Sequence, residues 1–202
     1  MSTITTPPVP SYRSRNPVPY RWTIREYRAL DRTNLFHDVK TMLIHGELYV
    51  LPFPRPPHDV AMTATDNFLH AACPADHYVR NQQSLDIGTD SDPGPDLAIV
   101  PGSVDDYSAE KPRVAALVVE VADESRLLDT TTKAELYATA GVPEYWVIDL
   151  EHRQLLVFRD PHPLPAGLGA TAYKIHLTLR PTESVSPRLA PTASILVSEL
   201  LP

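Results

Sequence analysis

The segment Val114–Val121 constrains the fold most strongly, because every residue in it except Glu120 is apolar. A strand that is apolar on both faces needs a covering layer on each side of its sheet. A helical pattern separates this segment from the next apolar strand pattern, which starts at Tyr145. The sequence therefore predicts an α/β fold in which helices flank a mixed central β-sheet.

Local signals predict the other elements. Thr23 followed by Glu26 is a capping box, which predicts a helix that begins there. Gly141 and Pro143 follow a helical pattern, as is typical of helix C-termini. Predicted strands span 47–51, 77–87, 96–100, 114–121, 145–150, 154–158 and 173–179, and predicted helices span 58–73 and 129–140. Strands 145–150 and 154–158 are close enough in sequence to form a hairpin.

The composition excludes several classes of protein. The 202 residues suit one domain, and the longest purely aliphatic run, Val114–Val119, is far too short to cross a membrane. The single cysteine, Cys73, excludes a disulfide framework and a cysteine-rich zinc site. Because no secretory signal pattern is present either, we expect a cytoplasmic protein without membrane association.

Charge and proline are unevenly distributed along the chain. The net charge of −7 excludes a general polyanion binder, so contact with nucleic acid has to be local or metal-bridged. Residues 1–28 nevertheless hold five arginines and one acid, whereas residues 86–135 hold twelve acids and four bases. Five prolines in the first twenty residues predict a flexible arm over 1–20. The rest, 21–202, is predicted to be one domain, with its core at about 40–160 and a C-terminal strand extension at 171–202.

Two acidic residues mark a candidate site. Along a strand, side chains alternate between faces, so Glu120 shares a face with Val118 and Ala122. A carboxylate among aliphatic residues is costly unless it is paired or metal-bound. Asp96 begins a neighbouring predicted strand, where ligands commonly collect. Two carboxylates that meet there favour a divalent cation between them, and their oxygen ligands suit Mg²⁺ or Mn²⁺.

The predicted helix 129–140 supplies a cation to the same region. Asp129, Lys133 and Tyr137 are spaced to share one helix face. Ala122 leaves a gap beside Glu120, which a lysine from a packed helix can fill. Two acids, a metal and a lysine together suit the hydrolysis of a phosphodiester, because the metal activates water and the lysine offsets charge in the transition state.

The residues of this region also carry a family resemblance. They are, in chain order, Pro95-Asp96-Leu97, Leu117-Val118-Val119-Glu120-Val121, Lys133 with Tyr137-Ala138, and Ala140-Gly141-Val142-Pro143-Glu144-Tyr145-Trp146-Val147-Ile148-Asp149. This pattern resembles the Uma-two family of restriction endonucleases, part of the PD-(D/E)XK phosphodiesterase superfamily. Upstream, Gly46-Glu47-Leu48, the following prolines and His58 resemble the family as well, so the resemblance covers about residues 22–160.

The resemblance implies a restriction-endonuclease-like core, often homodimeric, that uses Mg²⁺ to cut DNA, most typically double-stranded. It implies that Asp96 and Glu120 are metal ligands, with the carbonyl of Val121 as a third ligand. Lys133 would be the catalytic lysine of the superfamily, although that lysine usually stands two residues after the acid, where this chain has Ala122. His45 is a second departure, because the family more often has Asp there.

Other interpretations remain open at this point. Asp96 is also suited to capping a turn, and Lys133 to pairing with Asp129 on a solvated helix. Asp129 itself fits the acidic first turn of a helix. His58 and Glu47 line the pocket by family likeness or are structural. The alternative functions are a nuclease-fold binding or assembly module with little cleavage, and a metal-dependent hydrolase of RNA or nucleotides.

Overall fold

The computed structural model describes residues 17–33, 35–165 and 167–202. Most of the predicted arm, up to residue 16, therefore lies outside the described residues. The elements, in chain order, are α1 (Ile24–Asp31), β1 (Lys40–Ile44), β2 (Glu47–Leu51), α2 (Pro56–Ala72), β3 (His77–Asn81), β4 (Leu97–Pro101), β5 (Leu117–Ala122), α3 (Arg126–Thr130), α4 (Thr132–Thr139), β6 (Glu144–Asp149), β7 (Gln154–Pro161), β8 (Tyr173–Leu179), β9 (Ser184–Val185) and β10 (Ile195–Leu196). The partition of the chain into arm, core and extension stays a prediction.

Six strands form one mixed sheet in the order β3-β4-β5-β6-β7-β8. β5 and β6 are parallel, with Glu120 opposite Val147, and the other neighbouring pairs are antiparallel. α3 and α4 connect the parallel pair, because two parallel strands need a crossover connection. This arrangement confirms the predicted α/β class and the mixed central sheet. Among the described residues, no helix combines the length and apolar character needed to span a membrane.

The two faces of the sheet are buried against different elements. Leu117, Val119 and Val121 of β5 pack in the core beneath α2 and the C-terminal residues 185–201. Val118 and Ala122 point to the opposite face, where α4 and the β1–β2 hairpin cover them. Every residue of β5 is buried, as the apolar pattern on both faces predicted.

α1 and the β1–β2 hairpin lie at one edge of this second layer. The predicted capping box is confirmed, because the Thr23 hydroxyl accepts from the Glu26 N–H and the Glu26 carboxylate accepts from the Thr23 N–H. β1 was not predicted. It joins β2 through His45 and Gly46, both with positive φ, which is typical of the tight turns that connect antiparallel strands.

Several predicted elements differ in extent. The predicted strand 114–121 begins only at Leu117, and the predicted strand 154–158 extends to Pro161. The predicted helix 129–140 is wrong as one helix: α3 begins at Arg126, and Thr131 separates it from α4. The hydroxyls of Thr130 and Thr131 donate to carbonyl oxygens four residues earlier, and such bonds bend or interrupt helices. The predicted strand 77–87 ends at Asn81, since Gln82 has a positive φ and turns the chain.

Candidate active site

A pocket of about 190 Å³ lies where the N-terminal end of β4, the C-terminal end of β5 and the first turn of α2 meet. The predicted site residues Asp96, Glu120, Val121 and Lys133 all line it. The structure therefore brings together side chains that are far apart in the sequence, although their chemical roles stay predictions. The other residues that line the pocket are Lys40, Leu51, Pro52, Phe53, Pro54, Arg55, His58, Gln82, Gly94, Asp123, Glu124, Ser125 and Leu128.

Glu120 is fixed on both of its carboxylate oxygens. The side chain lies on the α4 face of β5, and the residue is only 3% exposed. Tyr137 donates its hydroxyl proton to Glu120 Oε1 at 2.8 Å, and Lys133 Nζ lies 2.9 Å from Oε2. Since β5 is held by hydrogen bonds to a strand on each side, these contacts give the carboxylate one orientation.

Lys133 enters the site from α4. Its ammonium nitrogen lies 2.7 Å from Asp129 Oδ1 as well as near Glu120, and the residue is buried. Asp129 is fully buried and also accepts a hydrogen bond from the Ser125 hydroxyl. The interpretation of Lys133 and Asp129 as a solvated helical pair is therefore wrong. Ala122 is fully buried in the same core as Tyr137. Its short side chain leaves space on this face of the sheet, which a lysine from the helix can occupy.

The electrostatics of the site oppose ionisation of Glu120. Burial, with the neighbouring Asp96 and Asp129, raises the pKa of Glu120 to about 7, although Lys133 acts in the other direction. Burial alone would lower the pKa of Lys133, but the surrounding carboxylates outweigh it and raise that pKa. Lys133 is therefore a permanent cation at neutral pH and not a base.

Asp96 is stabilised in its ionised form. It stands directly before β4, and its Oδ2 accepts the Val121 backbone N–H at 2.8 Å. His58 Nε2 lies 3.3 Å from the same oxygen. Burial opposes ionisation, but the contacts with His58 and the Val121 N–H outweigh it and lower the pKa of Asp96. The same contact with Asp96 raises the pKa of His58.

The sequence left two neighbouring residues undecided, and the structure separates them. His58 lies in the first turn of α2 and reaches the pocket, where it contacts Asp96. Glu47 does not line the pocket; its carboxylate pairs with Arg21 at 2.6 Å and accepts the Tyr49 hydroxyl. The only sequence signal that placed His58 at the pocket was its position after a run of prolines. Nothing in the sequence excluded Glu47 from the pocket.

The mouth of the pocket is formed in part by a proline-rich segment. The segment 52–55 passes over it, and Arg55 donates two hydrogen bonds to the carboxylate of Asp123, just beyond β5. This ion pair connects the proline-rich segment to the end of the strand that carries Glu120. The sequence predicted that three loops, 52–57, 101–112 and 160–171, determine substrate choice, and of these only 52–57 contributes described residues to the pocket.

The sheet, its helices and this pocket define a nuclease-like α/β protein, and comparisons with known proteins agree. The Uma2 family, described as "Putative restriction endonuclease", matches residues 24–197. The chain belongs to this family, which confirms the resemblance found in the sequence.

A solved structure supports the fold independently. A crystal structure described as a putative nuclease belonging to DUF820, from Anabaena variabilis, superimposes with a TM-score of 0.61 over 81% of this chain and 90% of that chain. At 15% sequence identity the likeness shows a shared fold and nothing more specific. No curated protein matches the chain.

Proposed function

We propose that this protein is a metal-dependent endonuclease that hydrolyses DNA phosphodiester bonds with Asp96, Glu120 and Lys133. The observation that carries the proposal is the convergence of two carboxylates and one buried ammonium in a single pocket. This ammonium is held between Glu120 and Asp129 beside an open cleft. That placement suits stabilisation of a phosphoryl group that gains negative charge.

The residues fit a hard divalent cation such as Mg²⁺, with Mn²⁺ as a substitute. Asp96 Oδ1 accepts no hydrogen bond from any residue that the structure describes, so its lone pairs are available. The raised pKa of Glu120 means that ionisation is unfavourable there, and a cation would relieve this repulsion. Within the described ranges, no group of three or more His, Cys, Asp and Glu side chains is arranged to hold a metal ion. The proposal therefore uses two carboxylates, a number that Mg²⁺ accepts because it commonly keeps several water ligands.

The carbonyl of Val121 is the proposed third ligand. Successive carbonyls of a strand point to opposite sides. The Ala122 carbonyl accepts the Leu150 N–H on the β6 side, so the Val121 carbonyl points toward the β4 side. Asp96 lies on that side and accepts the N–H of the same residue.

Each residue of the candidate site has a distinct role in this proposal. Bound Mg²⁺ would polarise the scissile phosphate and lower the pKa of the attacking water. Lys133 has three N–H groups, of which Glu120 and Asp129 occupy two, and the third remains for a phosphate oxygen. Tyr137 and Asp129 hold the Glu120 carboxylate and the ammonium in position.

The proposed substrate is DNA, because the family is described as one of restriction endonucleases. The acidic chain has little general affinity for phosphates, so metal-bridged contact at this site is the proposed mode of binding. Homodimerisation belongs to the same proposal, since two-fold symmetry would present one such site to each strand of a duplex.

Cleavage and metal binding test the proposal together. We expect purified wild-type protein to nick or cut plasmid DNA with Mg²⁺ or Mn²⁺ and to lose this activity in EDTA. Glu120→Gln should lower the rate by at least about 100-fold, because it removes a charged metal ligand. Mg²⁺ should raise the melting temperature of the wild type but not that of Glu120→Gln or Asp96→Asn.

Glu110→Gln is a matched control, because it makes the same change on an exposed residue that does not line the pocket. A wild type that binds Mg²⁺ but cuts no DNA would contradict the nuclease proposal and favour a binding module. Cleavage of RNA or nucleotides but not DNA would contradict the substrate while keeping the site.

A further inference from the structure

Phe53 is an exposed aromatic residue at the mouth of the candidate site. It is 81% exposed, more than any other large hydrophobic residue among those the structure describes. It lines the same pocket as Asp96, Glu120 and Lys133. An aromatic side chain in water lowers solubility and contributes nothing to the core, so its position at a reactive pocket suits a ligand with a flat apolar face.

The segment that carries Phe53 is constrained. Pro52 and Pro54 flank it, and the fixed φ of each proline removes conformational freedom that binding would otherwise have to restrict. Arg55 continues the segment into α2 and is tied to Asp123 beside the end of β5. The phenyl ring is therefore presented on a braced segment over the pocket.

Lys40 is a cation at the same mouth without an opposite charge. It begins β1, is exposed, and forms no ion pair with any residue that the structure describes. The other cations of the pocket are engaged: Arg55 pairs with Asp123 and Glu124, and Lys133 lies between buried carboxylates. Lys40 is consequently available for an anionic group of a ligand.

We propose that Phe53 and Lys40 form a nucleotide subsite beside the scissile phosphate, in which a base stacks on Phe53 and a neighbouring backbone phosphate contacts Lys40. The inference rests on the proposed nuclease function and specifies its substrate: DNA with a base removed from its stack, in a single strand or flipped from a duplex. Base–aromatic stacking requires a free face of the base and tolerates any sequence.

The competing occupant is a second copy of this chain, packed on Phe53. Several acidic residues line the same pocket as Phe53, among them Asp123 and Glu124, which makes the mouth a poor dry interface. A strand of nucleic acid, in contrast, alternates anionic phosphates with flat bases. This pattern matches an unpaired lysine and an exposed aromatic ring that line one pocket. The test distinguishes a nucleic acid from a second copy of the chain by also measuring the molecular mass of the protein in solution.

Binding of two single-stranded probes isolates the stacking contact. The probes are a fluorescein-labelled twelve-residue oligothymidylate and an abasic deoxyribose-phosphate strand of the same length, titrated with Ca²⁺ in place of Mg²⁺ and followed by anisotropy. We expect the wild type to prefer the thymidylate by about 10-fold, and Phe53→Ala to lose most of that preference. Phe53→Trp should restore it, whereas Phe53→Leu, which is apolar but has no π-face, should not.

Lys40 is tested by salt dependence. Lys40→Ala should reduce the slope of log affinity against log salt by about 0.7, the value for one phosphate contact on a single strand, while Phe53→Ala leaves the slope unchanged. Lys174→Ala is the matched control, because this lysine is 62% exposed and does not line the pocket. It should change neither the slope nor the probe preference.

The outcomes separate this inference from the nuclease proposal. Equal probe preference in wild type and Phe53→Ala, or full rescue by Phe53→Leu, overturns the stacking subsite even if the protein cuts DNA. A change of molecular mass in Phe53→Ala without a change of probe preference overturns it in favour of a protein interface. Loss of the preference in Phe53→Ala, together with a wild-type protein that cuts nothing, would instead keep the subsite and reject the nuclease.

Discussion

Three buried or nearly buried carboxylates share one ammonium in the candidate site. Asp96, Glu120 and Asp129 lie around Lys133, and burial together with the neighbouring carboxylates raises the pKa of Glu120. A buried carboxylate without a sufficient counter-charge destabilises the folded chain. Electrostatic repulsion in the metal-free site therefore destabilises the folded protein, and removing the negative charge of Glu120 should reduce this repulsion.

We predict that Glu120→Gln stabilises the metal-free protein at alkaline pH. The folded pKa of Glu120 is about 7, above its ordinary value of 4.5, so the folded state binds the proton more tightly than the unfolded state. The stability that comes from the protonated carboxyl is present below about pH 4.5 and is lost as the pH rises to about 7. Melting temperatures in EDTA should therefore show an advantage for Glu120→Gln that widens between pH 5 and pH 8.

Glu110→Gln serves again as the control, and its difference from wild type should not vary with pH. An advantage of Glu120→Gln that stays constant from pH 5 to pH 8 would contradict the raised pKa. Variation that comes from groups without an interaction with Glu120 is shared by all three proteins and cancels in the comparison.

Asp129 is predicted to position Lys133 without contacting the metal. It is fully buried and contacts the lysine at 2.7 Å, but it does not line the pocket. Asp129→Asn should lower kcat by about 10- to 100-fold, because the Lys133 ammonium loses the carboxylate that orients it. The Mg²⁺ concentration for half-maximal cleavage should stay close to that of wild type. A shift as large as that in Asp96→Asn would instead make Asp129 a ligand.

The sequence predicted individual site residues where their local pattern was strong. Glu120 interrupts an apolar strand, and Lys133 follows Asp129 by one helical turn, so both were recognisable. The burial of Asp129 was not, because it depends on α3 packing against β5 and β6, which no local pattern records. His58 was left undecided for the same reason.

At the scale of elements, turn chemistry explains what was missed. β1 is short, and its turn residues, His45 and Gly46, lack the Asn-Gly or Asp-Gly signal that identifies such hairpins. His45 has a φ of 48°, a backbone conformation that is unfavourable for a residue with a side chain. Its Nε2 lies 3.4 Å from Glu135 Oε1 of α4, so a tertiary contact accompanies this unfavourable conformation. The break at Thr131 likewise comes from side-chain hydrogen bonds that periodicity does not show.

Gly46 is predicted to be essential for docking α1 onto the hairpin. Its φ is 73°, and an added Cβ would lie 2.9 Å from Arg21 Cβ and 3.1 Å from the Trp22 carbonyl oxygen. Gly46→Ala should therefore destabilise the protein by about 1–2 kcal/mol or more in urea unfolding. Gly94→Ala is the control: its Cβ meets nothing within 4 Å, its φ is not positive, and it should change stability by less than about 0.5 kcal/mol. Equal effects of the two substitutions would contradict the steric explanation.

At the scale of the whole molecule, the charge pattern limits how DNA can approach. Part of the basic N-terminal region is engaged within the fold, because Arg21 pairs with Glu47 and Arg28 pairs with Asp86 and Asp92. Arg25 is exposed and forms no ion pair with the described part of the chain. In the predicted arm, Arg13 and Arg15 are the remaining candidates for contact with the duplex backbone.

Deleting residues 1–20 is expected to weaken DNA binding and to flatten its dependence on salt. Each phosphate contact on a duplex contributes about 0.9 to the slope of log affinity against log salt, so loss of two arginines should reduce the slope by at most about 1.8. The double substitution Arg13→Ala/Arg15→Ala should reproduce the effect, since it removes the same charges and keeps the chain length. Lys174→Ala/Arg180→Ala removes equal charge from an exposed part of the C-terminal region and should leave the slope unchanged. An unchanged slope in the deletion variant would contradict the role of the arm in DNA binding.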